Sequence, residues 1–390
     1  MIKGIYIHVP FCLNKCYYCD FLSGIDPKSE YAKEYFEAIE KELQMYIQIY
    51  DLSFVETIYF GGGTPSLFPK EIGKIVDIIS RFSSIIKEIT VEANPAYDFD
   101  PHKFSFATRI SFGIQTFYEK YLRFLGRIHT PLEAKLSLER ASKYFSVNGD
   151  LIFGIPEQKP EEHLEDIKTV INMGVNHISC YLLEIHENTP LSKIISKEKL
   201  KVLEDAHDFF QVQRYATEKG FLRYEVSNFA KPNNECQHNM LYWNREDFLG
   251  IGASAWSKIG NRRFCNMKNL KKYYEKINNR DLPIEFSEDI TGFKAIEEII
   301  FLGLRKIRDG LDLGELEYFN ISISEFLKMV QDYRDFLIID ERRIRIKEEH
   351  IPIIDGLTVR LIIIAEKLYG ANRLSKSSGF NLFSTKASFL

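Results

Sequence analysis

The feature that most restricts how this chain can fold is a rhythm. Through the first two hundred residues, short β-rich runs alternate with longer amphipathic stretches. Residues 4–9, 55–60, 88–92, 109–114, 147–153 and 177–183 read as strands; residues 28–49, 70–82, 131–144 and 161–173 carry apolar side chains near helical spacing. A strand followed by a helix before the next strand pairs in parallel with its neighbour, because the crossover returns the chain to the same end of the sheet. Six such units predict an α/β fold, either an open sheet or an incomplete (β/α)6 barrel two units short of a closed one.

After residue 200 the rhythm breaks. A helix near 202–218 leads to Tyr224-Glu225-Val226-Ser227-Asn228-Phe229 and a polar turn at Lys231-Pro232-Asn233-Asn234. Helices at 293–304 and 324–333 precede residues 337–346, where Asp340-Glu341-Arg342-Arg343 is able to turn a hairpin, a pattern that looks like a small winged-helix module. The expected segmentation is a partial barrel over 1–200, a barrel extension over 201–285, a helical C-terminal domain over 286–370 and a mobile tail over 371–390. With 51 Lys and Arg against 55 Asp and Glu, the net charge of −4 provides no basic field for nucleic acid, so no nucleic-acid partner is expected. No apolar run approaches the ~18 residues of a membrane span. The opening Met1-Ile2-Lys3-Gly4 lacks the charged and apolar regions of a signal peptide, which predicts a cytoplasmic protein.

Of six cysteines, Cys180, Cys236 and Cys265 are scattered, while Cys12, Cys16 and Cys19 form a CxxxCxxC run just after the first strand. A closed zinc site takes four ligands, usually as two pairs, and no fourth cysteine or histidine follows in this loop. Three soft thiolates on a short tether suit three corners of a [4Fe–4S] cube, with the fourth iron open to a non-protein ligand. A zinc site completed by a distant residue, or unligated cysteines, is the alternative. Gly61-Gly62-Gly63-Thr64-Pro65 follows the second strand, where glycines let backbone N–H or C=O groups approach a ligand. Glu92, Gln115 and Asp150 fall at the C-terminal ends of later strands, and Arg127 lies in the loop that follows Gln115. Ligands gather at that end of a parallel barrel.

Taken together, these residues resemble the radical S-adenosylmethionine (SAM) superfamily, and in their order its oxygen-independent coproporphyrinogen III oxidase branch, over residues 5–257 with a weaker echo to 360. The resemblance implies a radical SAM partial barrel in which Cys12, Cys16 and Cys19 hold the [4Fe–4S] cluster and the open iron chelates SAM. It implies SAM contacts from Tyr6, Tyr18, Gly62, Gly63, Thr64, Glu92, Gln115, Arg127 and Asp150, with Tyr18 beside the adenine. Two departures separate the chain from the true porphyrinogen dehydrogenases: Phe21 stands where those enzymes carry a further cysteine, and only eleven residues precede Cys12. Both are shared with the radical SAM heme chaperones (HemW).

Cys236-Gln237-His238-Asn239-Met240-Leu241-Tyr242-Trp243 contains an HNxxYW string similar to the proposed heme-binding motif of those chaperones. His238 would supply the axial imidazole, Tyr242 and Trp243 flat surface for the porphyrin, and Cys236 is a rival thiolate. By itself, a histidine among aromatics reads as a hydrogen-bonded core residue. Trp256, in Gly250-Ile251-Gly252-Ala253-Ser254-Ala255-Trp256, stands where many relatives have histidine or isoleucine. The resemblance implies heme as cargo, apo-hemoproteins such as respiratory cytochromes as recipients, transient membrane-protein contact, and a flavodoxin- or ferredoxin-type electron donor. The alternative activity is a coproporphyrinogen III dehydrogenase using a 5′-deoxyadenosyl radical, and a more remote one a radical SAM reaction on an unrelated substrate.

Overall fold

The computed structural model describes residues 1–25, 31–195 and 206–371. By its internal contacts the chain divides into two units, residues 1–290 with 306–308, and residues 291–305 with those from 309 on.

In the first unit, the alternating rhythm becomes β1 (Ile2–Val9), α1 (Ala32–Ile49), β2 (Thr57–Gly62), α2 (Pro69–Ser80), β3 (Glu88–Ala93), β4 (Arg109–Gln115), α3 (Glu119–Leu125), α4 (Pro131–Ala141), β5 (Ser146–Phe153), α5 (Pro160–Asn172) and β6 (His177–Leu182). All six strands pair in parallel and in sequence order. When each new strand adds to the same edge, right-handed crossovers put every helix on one face of the sheet, and the sheet curls with its other face inward. That is an incomplete (β/α)6 barrel, as the rhythm predicted.

The two faces are chemically opposite because successive side chains of a strand alternate. Ile5, Ile7, Val9, Ile58, Phe60, Val91, Ile110, Phe112, Ile114, Val147, Leu151 and Ile178 belong to one buried cluster with Tyr35, Ile39 and Leu43 of α1, Ile72 and Ile75 of α2, and Ile167 and Val170 of α5. The intervening positions carry Tyr6 and His8; Thr57 and Tyr59; Glu88, Thr90 and Glu92; Arg109 and Ser111; Asn148 and Asp150; His177, Ser179 and Tyr181. A closed eight-stranded barrel fills its interior with branched aliphatics. A polar interior is instead a chamber.

Residues after 205 extend this sheet at both edges. α6 (Ala206–Glu218) precedes β7 (Leu222–Arg223) and β8 (Asn228–Ala230), which pair antiparallel beyond β6; α7 (Gln237–Trp243) follows. β9 (Asp247–Ile251) pairs in parallel with β1 on the opposite edge, and β10 (Trp256–Ile259), β11 (Arg262–Asn266) and, after α8 (Leu270–Asn278), β12 (Ile284–Asp289) continue antiparallel from it. Among the described residues the sheet therefore has twelve strands, in the order β12-β11-β10-β9-β1-β2-β3-β4-β5-β6-β8-β7. The added strands are only two to six residues long and most pair antiparallel, so the βα rhythm could not reveal them. The first residues of the two predicted helices at 28–49 and 202–218 fall outside the described residues, as does the tail from residue 372.

The second unit contains α9 (Phe293–Arg305), β13 (Leu311–Asp312), α10 (Ile323–Val330), β14 (Leu337–Ile339), β15 (Arg343–Ile346) and α11 (Ile354–Ala371). Its strands form a small sheet in the order β13-β15-β14, the helix-and-wing arrangement expected from the sequence. The hairpin turns at Asp340, whose carboxylate accepts from the backbone N–H groups of Arg342 and Arg343 at 3.1 and 2.6 Å. Among the described residues no helix is long and apolar enough to cross a membrane.

Candidate functional site: the mouth of the barrel

The cysteine loop leaves the C-terminal end of β1 and is tied down at both sides. Gly63 N–H donates to Val9 O and Thr64 N–H to Phe11 O, each at 2.8 Å, so the glycine turn after β2 zips onto the start of the loop. Gly63 has to be glycine here, since a Cβ would lie 2.5 Å from Phe11 O and 2.8 Å from Val9 O. On the other side Tyr17 N–H donates to Leu125 O at 3.0 Å and Asn14 Nδ2 to Gly126 O at 2.9 Å. The end of the loop is closed by Gly24 N–H to Pro10 O at 2.7 Å and by a 2.8 Å bond between His8 Nε2 and Leu22 O. Desolvation lowers the His8 pKa to about 4, so its imidazole is neutral.

Cys12, Cys16 and Cys19 are free thiols of intermediate exposure. Two of them receive polar hydrogens from residues the sequence singled out. Thr64 Oγ1 donates to Cys12 Sγ at 3.6 Å and Arg127 Nη1 to Cys16 Sγ at 3.4 Å. Burial raises the pKa of Cys12 and of Cys19, the Thr64 hydroxyl opposing the shift at Cys12, so a metal that binds here has to displace thiol protons. Arg127 also donates through Nη2 to Asn94 Oδ1 at 2.7 Å and to Gly113 O at 2.5 Å, and its buried Nε has no hydrogen-bond partner among the described residues. Asn94 Nδ2 in turn donates to Thr64 Oγ1 at 2.9 Å, which closes a ring from Cys12 through Thr64, Asn94 and Arg127 to Cys16. Sequence reasoning missed Asn94, because its bridging position has no signal in a single sequence.

Below this ring stand the carboxylates. Glu92 accepts from Tyr59 O–H at 2.8 Å and from Gly62 N–H at 3.0 Å. Burial raises its pKa to about 7, with the nearby Asp150 adding to the shift and these hydrogen bonds opposing it. Asp150 accepts from Asn148 at 2.6 Å and Ser111 at 3.1 Å, and burial raises its pKa as well. Tyr6 stacks on Tyr59 with ring centroids 6.0 Å apart. Gln115 ends β4 with φ +66°, a left-handed conformation that costs a non-glycine residue energy and is concentrated at ligand sites. Tyr18 packs beside the cluster of Tyr121, Leu125, Ile152 and Ile155. Of the expected SAM contacts, Thr64 and Arg127 touch the thiols, Gly62 and Glu92 bond each other, and Tyr6, Tyr18, Gly63, Gln115 and Asp150 lie on the same strands and loops. The N–H groups of Gly62, Gly63 and Thr64 are all engaged within the protein, as are the Thr64 carbonyl, with Leu67 N–H, and the Thr64 hydroxyl, with Cys12 and Asn94.

His238 lies elsewhere. α7 closes the N-terminal end of the chamber, where Glu88 caps it by accepting from Gln237 N–H at 2.9 Å and His238 N–H at 3.1 Å. The His238 ring is 0% exposed; Nδ1 bonds Thr57 Oγ1 at 2.7 Å and Nε2 bonds Tyr242 O–H at 2.8 Å. Desolvation lowers its pKa to about 3, so the ring is neutral. Both nitrogens are occupied, and ligation of iron would require one of these bonds to break and α7 to leave the floor. Tyr242 packs edge-on to Phe248 and Trp243 is only 8% exposed, so neither presents a free flat face. The Cys236 thiol is 0% exposed, lies 3.5 Å from Glu88 Oε1 and has its pKa pushed up to about 12 by burial and that carboxylate. It is a neutral thiol rather than a thiolate ligand. Trp256 packs edge-on against Phe286 at the sheet edge.

The donor set fits an iron–sulfur cluster with one open corner: three thiols on one loop, hydrogen-bond donors at two sulfurs, and a polar chamber below with an unspent guanidinium N–H. Residues 6–170 match the family model described as the radical SAM superfamily. The heme chaperone HemW of Bacillus subtilis is 34% identical over 319 residues, covering 78% of this chain and 84% of that protein. The heme chaperones HemW of Haemophilus influenzae and Escherichia coli are 36% and 38% identical, over 76% and 66% of this chain and 83% and 70% of their own lengths. Among solved structures, coproporphyrinogen III oxidase (HemN) from Escherichia coli, a radical SAM enzyme, superposes with a TM-score of 0.78 at 22% identity over 92% of this chain and 90% of that one, a likeness of fold.

Proposed function

Because the chain belongs to the radical SAM superfamily and, within it, to the heme chaperone HemW family, we propose that it binds heme non-covalently and delivers it to apo-hemoproteins such as respiratory cytochromes. In this reading Cys12, Cys16 and Cys19 hold a [4Fe–4S] cluster, and SAM occupies the chamber beneath the mouth. When bound, the cluster supplies a vacant iron for the amino and carboxylate groups of SAM and a one-electron redox centre. The observation that carries the reading is the hydrogen-bonded ring from Thr64 through Asn94 to Arg127, which joins two of the three thiols to the strand ends of a polar chamber.

The chain's own groups have separate tasks. Thr64 and Arg127 direct hydrogen-bond donors at the sulfurs of Cys12 and Cys16, and the Arg127 Nε–H is the free donor for an anionic ligand group. Glu92 and Asp150 offer acceptors suited to ribose hydroxyls, and the ring of Tyr18 a face for adenine. Recipients among respiratory cytochromes imply transient contact with membrane proteins, and reduction of the cluster an electron donor of the flavodoxin or ferredoxin type, in the cytoplasm.

The test is anaerobic reconstitution followed by transfer of hemin to an apo-cytochrome. Iron and sulfide should load in equal amounts, be lost in Cys12→Ala, Cys16→Ala and Cys19→Ala, and persist in Cys265→Ala. A zinc-loaded chain indifferent to SAM, or one that converts coproporphyrinogen III to protoporphyrinogen IX and transfers no hemin, refutes the proposal.

A further inference from the structure

The histidine of the HNxxYW string is joined to the SAM-side carboxylate through one aromatic residue. The His238 ring lies against Tyr59, centroids 5.2 Å apart and planes tilted by 31°. Tyr59 donates its hydroxyl to Glu92 Oε1 at 2.8 Å and stacks its ring on Tyr6, whose hydroxyl bonds His8 Nδ1 at 3.0 Å. His8 is the residue whose other nitrogen fastens the end of the cysteine loop at Leu22 O. A continuous column of rings thus runs from Tyr242 and His238 at the floor, through Tyr59 and Tyr6, to His8 at the mouth.

The column is fixed at its base. His238 cannot rotate without losing Thr57 or Tyr242, and α7 is pressed onto β1 where Gly4 allows it: a Cβ there would lie 2.5 Å from Leu241 Cδ1 and 3.1 Å from His238 Cε1. Of the groups packed around Tyr59, the one on the floor side is therefore an imidazole held through both of its nitrogens. A hydroxyl held at 2.8 Å from a buried carboxylate both orients that carboxylate and stabilises its charge; a displaced hydroxyl does neither.

We propose that His238 is a positioning residue for SAM: acting through Tyr59, it sets the place and ionisation of Glu92. This rests on the reading of Glu92 as a SAM contact. The HNxxYW helix then serves the cofactor end of the chamber from beneath, and the barrel floor and the mouth act as one unit.

The test measures SAM binding to the full-length, cluster-reconstituted protein across pH, with hemin titration alongside. Tyr59→Phe, which keeps the ring and removes only the hydroxyl, should weaken SAM about tenfold, the value for loss of one hydrogen bond to a charged group. It should also move the acid limb of binding to higher pH, because Glu92 loses a donor that favours its anion. The other groups facing Glu92, namely Asp150, Arg109, Tyr6, Tyr181 and Tyr242, are unchanged in that variant. His238→Ala should reproduce both effects, and the double variant should be no weaker than the weaker single, since both act along one path. His238→Ala with normal SAM affinity and pH limb, or additive losses in the double variant, overturns the proposal. So does a His238→Ala variant that loses hemin and keeps SAM, which would make His238 an iron ligand. If His238→Ala does not fold, Thr57→Val, which removes the Nδ1 partner that fixes the His238 ring, decides in its place, an unmoved acid limb being the refuting result. Glu92→Gln binding SAM as tightly as the parent would overturn the premise about Glu92 and leave the His238–Tyr59 packing intact, so the two failures are separable.

Discussion

Gly63→Ala is the smallest change that should detach the cysteine loop from the barrel. The added methyl would meet three backbone atoms, Phe11 O at 2.5 Å, Phe11 N at 2.7 Å and Val9 O at 2.8 Å, none of which can rotate away. Relief requires the end of β2 to retreat by roughly 1 Å, the gap to an ordinary carbon contact. That retreat stretches the bonds from Gly63 N–H to Val9 O and from Thr64 N–H to Phe11 O, each 2.8 Å at present. Two backbone hydrogen bonds at ~1 kcal/mol each, with overpacking of ~1–3 kcal/mol, give a destabilisation of about 3–5 kcal/mol. Thr64 would also leave the sulfur of Cys12, so iron retention should fall with stability. Chemical denaturation of the metal-free chain and iron-to-protein ratios after anaerobic reconstitution measure the two effects. Gly356→Ala is the control: it lies in α11, a Cβ there meets nothing within 4 Å, and the chain should be unchanged or more stable by up to ~1 kcal/mol. A Gly63→Ala chain with parental denaturation midpoint and full iron would refute the account of how the loop is held.

Arg127→Lys should weaken iron retention and cost about 1–3 kcal/mol in a denaturation titration, because an ammonium cannot serve Cys16, Asn94 and Gly113 together and leaves at least one buried acceptor unpaired. Glu42 is 0% exposed and accepts from Gly252 N–H, Tyr273 O–H and Asn266 Nδ2, yet desolvation raises its pKa to about 7 from an ordinary 4.5. Between those values the folded chain holds a proton that the unfolded chain has released, so its contribution to stability falls as pH rises through that window. Urea midpoints at pH 5 and pH 8 should therefore differ less in Glu42→Gln than in the parent, and equal differences would refute this. Asp340→Ala should cost ~1 kcal/mol through the lost hairpin turn, read from the melting of the chain, with iron loading unchanged.

How far a single sequence could reveal this molecule depended on whether each feature is local. The six parallel strands were legible because each is a β-rich run and most are separated by a helix with one apolar face, β3 and β4 being joined instead through a short 3-10 turn at Pro101–Phe104, and the wing because Asp340 announces its own turn. The CxxxCxxC loop was legible for the same reason: three ligands within eight residues need no tertiary information. The strands after residue 220 were not, because they are two to six residues long and join the edges of a sheet whose other members lie far earlier in the chain, Asp247 of β9 standing opposite Ile2 of β1. The partners of Arg127 were equally hidden, since Asn94, Gly113 and Cys16 meet only when β3, β4 and the loop have been placed. The inward polarity of the strands was visible in principle, as Glu88, Thr90 and Glu92 alternate with Ile89, Val91 and Ala93, but only a known helix side tells which set faces the chamber.

The same reasoning explains why His238 was open to two readings. Its sequence neighbours include Tyr242 one helical turn on, which bonds Nε2, but the partner of Nδ1 is Thr57, 181 residues earlier. An imidazole with one nitrogen accounted for looks available to iron; one with both accounted for is a structural joint. Thr57 and Gly4 lie at the start of the two strands whose far ends carry the glycine turn and the cysteine loop. With strands rising about 3.3 Å per residue, the five residues from Gly4 to Val9 span ~17 Å, so floor and mouth are two ends of the same short rods.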